Sequence, residues 1–137
     1  MKTNLYLIFT GNCREAFAFY EKTFGGKIQQ TMTYGDAPAG SPVPPEAKDL
    51  VMYTSLPVGS FILMGMDDPK GQEKLGGFKV SVETTDEAEV KRIFAELSSG
   101  GSVQMPLSPT FWSPLFGMLT DRFGVGWMVS VPGPQQG

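Results

Sequence analysis

The strongest constraint on this chain is that it states one pattern twice. "LYLIFTGNCREAFAFYEKTFGGKI" (5–28) reads as strand, cap, helix, Gly-Gly, strand, and "FKVSVETTDEAEVKRIFAELSSGGSV" (78–103) repeats that order at an offset of roughly 74 residues. In the first copy Asn12 is placed to cap a helix with Glu15 as its capping-box partner, and in the second Asp86 and Glu89 stand in the same relation. The apolar residues Ala16, Phe17, Tyr20 and Phe24 recur at helical spacing, as do Val90, Ile93, Phe94 and Leu97. Gly25-Gly26 and Gly100-Gly101 supply the helix ends and the turns that follow.

Three strand-like segments follow each helix: 27–34, 49–56 and 60–66 in the first copy, and 102–108, 115–120 and 125–131 in the second. The chain therefore reads as α+β. Two tandem β-α-β-β-β modules, 1–68 and 76–131, are expected to form a cupped, mostly antiparallel sheet with the helices on its outer face. Between strands, "YGDAPAGSPVPPEAKD" (34–49) is too rich in Pro and Gly for a helix or an inner strand. A loop of that length serves either as a lid or interaction arm, or as a plain solvated connection.

Alternation assigns the faces. Phe78, Val80 and Val82 form an apolar set, which a half-buried strand turns toward its helix. Gly77, Lys79, Ser81 and Glu83 then take the concave side. In the last strand Val125, Trp127, Val129 and Val131 alternate with Gly126, Met128 and Ser130. Carrying the repeat offset back to the first copy matches Tyr6 and Ile8 with Val80 and Val82. On that reading Leu5, Leu7 and Phe9 lie on the concave side.

Composition narrows the partners. The 137 residues suffice for one domain with a sizeable core, since 41% are hydrophobic and only 18% charged. The formal net charge is −3 and the basic residues are dispersed, which argues against a nucleic-acid partner. No apolar run approaches membrane-spanning length, and the N-terminal apolar stretch is too short for a signal peptide, so neither membrane association nor export is expected. A single cysteine, Cys13, suits a reducing, cytoplasmic setting. Without any histidine to activate it, Cys13 reads as structural.

Asp67 and Asp68, followed by Pro69, mark a turn rather than a cation site. Asp121 in "DRFG" belongs to a hairpin turn in which Gly124 takes the unusual dihedral. No phosphate loop, nucleophile elbow, zinc spacing or dinucleotide fingerprint is present, and no cofactor is expected. Lys79 is the notable charge on the concave face. Its ammonium either meets an anionic group of a ligand or reaches solvent over a packed stem. Tyr53, Phe111 and Trp112 either stack on a planar ligand or belong to the core.

The repeat, together with "AFAFYEKTFGGKI" (16–28), "ILMGMDD" (62–68), "TTDEAEVKRIFAELSSGG" (84–101) and "FGMLTDRFGVGWMVSV" (116–131), resembles the vicinal oxygen chelate superfamily. That superfamily groups glyoxalase, bleomycin-resistance and dioxygenase proteins. The wording is most similar to its PhnB-like branch, whose members carry a 3-demethylubiquinone-9 3-methyltransferase-like label. The chain departs from that branch at Tyr53, where a histidine is common, at Gly126, where a longer side chain is common, and in "FWSPLFG". Metal-using members place histidine and glutamate ligands at four positions, which map near Leu5, Leu63, Gly77 and Met128. Leucine and glycine side chains donate nothing, and one thioether suits only soft ions. The resemblance thus implies a family member without the family metal site.

The resemblance implies a homodimer that binds a small organic molecule, anionic or aromatic, in an apolar cup or dimer groove. Leu5, Leu7, Tyr53, Leu63, Lys79, Phe111, Trp112, Met118 and Met128 are the expected lining, with no catalytic residue assigned. Two other readings stay open: a metal-independent enzyme of lyase, isomerase or dioxygenase type, and a protein-interaction module.

Overall fold

The structure, a computed structural model, describes residues 1–72 and 74–134. Its elements are β1 (Leu5–Phe9), α1 (Cys13–Phe24), β2 (Gln30–Thr33), β3 (Val51–Val58), β4 (Phe61–Asp67), β5 (Val80–Glu83), α2 (Glu87–Ser98), β6 (Ser102–Ser108), β7 (Leu115–Thr120) and β8 (Gly126–Val131). The chain divides into two compact units, Met1–Leu75 and Gly76–Gly137. Each holds one four-stranded sheet, ordered β1-β4-β3-β2 in the first and β5-β8-β7-β6 in the second. In each unit the first strand pairs in parallel with the last, and the other pairings are antiparallel.

In the first unit α1 buries Cys13, Ala16, Phe17, Tyr20 and Thr23 against the sheet. Phe17 meets Phe9 of β1 edge-to-face, with ring centroids 6.3 Å apart. Gly65 of β4 lets the helix come this close. A Cβ at position 65 would stand 2.4 Å from Phe17 Cε1 and 3.2 Å from Cys13 Sγ. In the second unit α2 buries Val90, Ile93, Phe94 and Leu97, as the periodicity predicts. There Gly117 plays the corresponding part, its virtual Cβ lying 2.6 Å from Phe94 Cε2.

The helix starts differ from the expectation. Asp86 does cap α2, accepting from the backbone N–H groups of Ala88 and Glu89. Glu89, however, pairs with Arg92 at 3.0 Å instead of returning to the cap. Asn12 makes no side-chain cap at all. Its place is taken by Asp67, from the end of β4, whose Oδ1 accepts from Gly11 N at 2.9 Å and Cys13 N at 3.0 Å. A carboxylate at a helix N-terminus satisfies otherwise orphaned donors and complements the helix dipole. The other Asp67 oxygen accepts from Val51 N at 3.0 Å, so one buried side chain ties β4 to both α1 and β3.

The Pro-rich 34–49 segment contains two short 3₁₀ turns, Tyr34–Asp36 and Pro45–Ala47. Its base is closed by Tyr34 N to Leu50 O and Gly35 N to Lys48 O. Tyr34 Oη also donates to the Asp67 carbonyl at 2.9 Å. The root of the loop is thereby anchored to the same corner as the helix cap.

Candidate functional site

Each sheet has a face against its helix and an opposite, open face. Register assigns every strand residue to one of them, because residues directly opposite across strands project to the same side. In the first unit Leu5 pairs with Leu63 and Leu7 with Gly65, whose missing Cβ points at Phe17. Leu5, Leu7, Leu63 and Phe9 therefore lie on the helix face, and Leu7 and Leu63 are fully buried. This corrects the expectation that Leu5, Leu7 and Leu63 line the concave side. The open face instead carries Tyr6 opposite Met64, Ile8 opposite Met66, and Tyr53 opposite Met32. Tyr53 holds its expected place, and its ring lies 6.3 Å from that of Tyr6.

The reason for the inversion is a single residue. From the last helix-facing strand residue to the helix start, the first unit runs from Phe9 to Cys13 and the second from Val82 to Glu87. The second connection is one residue longer. An offset that aligns the helices therefore misaligns the strands by one, and a one-residue slip moves every strand side chain to the other face.

In the second unit the predicted faces hold. Val80, Val82, Trp127 and Val129 face α2 with Leu119 and Gly117. The open face is built of three rows running across the sheet. In the first, Gly126 pairs with Thr120 and Thr120 with Ser102. Lys79 completes that row: its Nζ lies 3.1 Å and its Cγ 3.0 Å from where a Cβ on Gly126 would stand. The second row is Ser81, Met128, Met118 and Met105, and the third is Glu83, Ser130, Phe116 and Ser108. Lys79, Met118 and Met128 thus share one face. Met105, whose place in the row needs the β6–β7 register with its irregularities, is a residue that sequence periodicity does not reveal.

Phe111 and Trp112 lie outside the strands. Thr110 Oγ1 accepts from Trp112 N and Ser113 N, folding a tight turn that leaves Phe111 97% exposed. Trp112 packs edge-to-face on Phe111 at 4.7 Å and on Phe116 of the open face at 5.4 Å. Trp112 is therefore a flank of this face, whereas Phe111 points away into solvent.

The chemistry of the donors decides the question of the metal that the superfamily implies. Three of the four mapped positions fail on geometry as well as chemistry. Leu5 and Leu63 face the helix, and Gly77 precedes β5, with Ser81 rather than Gly77 opposite Met128. The side chains that do line the open faces of β1, β4, β5 and β8 are Tyr6, Ile8, Ile62, Met64, Met66, Ser81, Glu83, Met128 and Ser130, with one carboxylate among them. No group of three or more His, Cys, Asp or Glu among the described residues is placed to hold a metal ion. This set does not fit a divalent ion.

The remaining candidates are structural. Asp121, 3% exposed, accepts from Phe123 N at 2.8 Å, Val125 N at 3.0 Å and Trp127 Nε1 at 2.9 Å, which closes the β7–β8 hairpin beside Gly124. Asp68 accepts from Lys70 N and Gln72 N in the turn after β4. Cys13 is fully buried on the helix face; burial first, and the neighbouring Asp67 carboxylate second, push its thiol far above the ordinary range. Cys13 should consequently react with Ellman's reagent only at the rate of unfolding, with no acceleration from pH 7 to pH 9. Rapid stoichiometric labelling of the folded protein would contradict that burial.

Known proteins agree with this architecture. The family model for the Glyoxalase/Bleomycin resistance protein/Dioxygenase superfamily matches residues 2–129. Protein YjdN of Escherichia coli strain K12 is 32% identical over 143 residues, covering 96% of this chain and 95% of YjdN. The crystal structure of protein PA1353 from Pseudomonas aeruginosa is similar with a TM-score of 0.87 and 46% identity, covering 96% of this chain and 98% of that one. A PhnB protein from Bacillus cereus shares the fold at a TM-score of 0.77 and 24% identity, covering 96% and 99%. With its duplicated four-stranded units and a match over nearly its whole length, this chain belongs to the glyoxalase/bleomycin resistance/dioxygenase superfamily.

Proposed function

We propose that the protein binds a small organic molecule on the open face of its second sheet and does so without a divalent metal. One observation carries this reading: the face presents half-buried thioethers, a flanking tryptophan and a lysine, but no ligand set for a hard ion. Small-molecule sites combine an apolar patch with placed polar groups, and here the methionines and Phe116 form the patch while serines, Thr120, Lys79 and Glu83 surround it. Methionine suits such a surface because its unbranched, polarisable side chain adapts to a ligand's shape. The free, buried Cys13 is compatible with the cytoplasmic setting proposed with it. No helix among the described residues is long and apolar enough to cross a membrane.

The enzymatic alternative finds less support. Cys13, at the start of α1, is sealed against β4, and Lys79 precedes β5 while Glu83 ends it, so the two do not form a pair. Native mass spectrometry of protein purified from its host without chelator, with elemental analysis of the same sample, tests the proposal. The expected result is a metal-free species carrying a small organic mass, and the same spectrum reports whether the proposed homodimer forms. One tightly held divalent ion per chain would overturn the metal-free reading.

A further inference from the structure

The three rows of the second open face differ in chemistry, and their order describes a ligand. The central row places the thioethers of Met128, Met118 and Met105 on three adjacent strands. Neighbouring strands lie about 4.8 Å apart, so these side chains form a continuous band of roughly 10 Å. All three are half-buried, so part of each residue stays accessible. Thioethers make favourable contacts with aromatic rings, about 0.3–1.5 kcal/mol each. A band of them suits a flat ring system better than a branched aliphatic chain.

The first row lies two residues along the strands, about 6.7 Å away. Gly126 contributes no side chain there, and Lys79 lies across it, so the ammonium sits over the sheet. No ion pair joins Lys79 to an acidic group among the described residues. Thr120 and Ser102 add hydroxyls to the same row. The carboxylate of the face, Glu83, belongs to the third row, on the far side of the methionines. Cationic and anionic ends are thus separated by the thioether band, which gives the face a polarity.

We infer that the ligand is a planar aromatic anion that lies across the sheet, its ring over Met118 and Met128 and its anionic group at Lys79. The inference rests on the binding reading above and adds the chemical class and orientation of the molecule. A longer side chain at position 126 would occupy the space where Lys79 now lies, so Gly126 is part of the same device.

Two dyes that share a phenylaminonaphthalene ring system test this. 1-Anilinonaphthalene-8-sulfonate carries a sulfonate and N-phenyl-1-naphthylamine does not. Binding of each to the wild type and to Lys79→Met is followed by fluorescence, and the site is located by ¹³C-methyl methionine NMR. The anionic dye should shift the methyl resonances of Met105, Met118 and Met128 and leave those of Met32 and Met64 in place. Lys79→Met should weaken the anionic dye about fivefold, as for an exposed ion pair, and leave the neutral dye unchanged. Lys79 is exposed, so the variant should fold as the wild type does, which circular dichroism checks.

Equal effects of Lys79→Met on both dyes, or none on either, would overturn the inference, as would shifts confined to Met32, Met64 and Met66. If neither dye binds while native mass spectrometry finds a retained neutral aliphatic molecule, the aromatic-anion inference fails and the binding reading stands. If no molecule is retained and no dye binds, both fail.

Discussion

Replacing Asp67 with alanine should destabilise the protein by about 3–5 kcal/mol, among the largest effects of any single polar substitution. The side chain is 1% exposed and accepts from three backbone donors, Gly11 N, Cys13 N and Val51 N. Alanine would leave those N–H groups facing apolar surroundings at the point where β1, α1, β3 and β4 meet. Asparagine is nearly isosteric yet should recover little. Its oxygen serves either the helix cap or Val51, and its NH₂ then confronts a donor on the other side. Urea denaturation of the two variants measures both costs, and hydrogen exchange at Cys13 and Val51 reports where the structure loosens. A loss below about 1 kcal/mol for Asp67→Ala would show that water replaces the carboxylate and that this corner is not the anchor described here.

The second large effect is expected at Trp127. Its side chain is fully buried against α2, so Trp127→Ala should cost about 3–5 kcal/mol through the cavity it leaves. Trp127→Phe separates the ring from its N–H. It keeps most of the packing but removes the hydrogen bond to Asp121 Oδ2, which should cost about 2 kcal/mol. A double-mutant cycle pairing Trp127→Phe with Asp121→Ala isolates the hydrogen bond, with a coupling of about 1–3 kcal/mol expected. Additivity within about 0.3 kcal/mol would mean that Asp121 acts through the turn alone, by way of Phe123 N and Val125 N.

These two carboxylates illustrate what could be read in advance. Both lie beside turn residues, and "DRFG" announces its hairpin through local signals: an aspartate able to accept from nearby backbone, then a glycine that reaches φ 94°. Asp67 is different. Its partners are 54 and 56 positions earlier and 16 positions earlier in the chain, and no local pattern names them. The expected cap, Asn12, has the right residue type at the right place, yet a distant carboxylate holds the helix start through other donors, Gly11 N and Cys13 N.

The candidate face divides in the same way. Met128 and Lys79 were legible because the segments 77–83 and 125–131 alternate cleanly. Leu5, Leu7 and Leu63 were misread because an offset taken from the helices was carried across a connection that differs by one residue. In sheets that error inverts the faces completely, whereas in a helix it would only rotate them. The methionine band and the position of Lys79 over Gly126 depend on pairings between strands far apart in sequence, including an irregular register in β6.

By itself, then, the sequence determined the elements, their repetition and the lack of any histidine. Those follow from local periodicity, capping and turn chemistry, and from which donor atoms the residues possess. Only the tertiary structure decided which strands are neighbours, which face each first-unit side chain takes, and which charged groups are buried. Those are properties of cross-strand register and long-range packing, where a shift of one residue, invisible to any local pattern, exchanges core for surface.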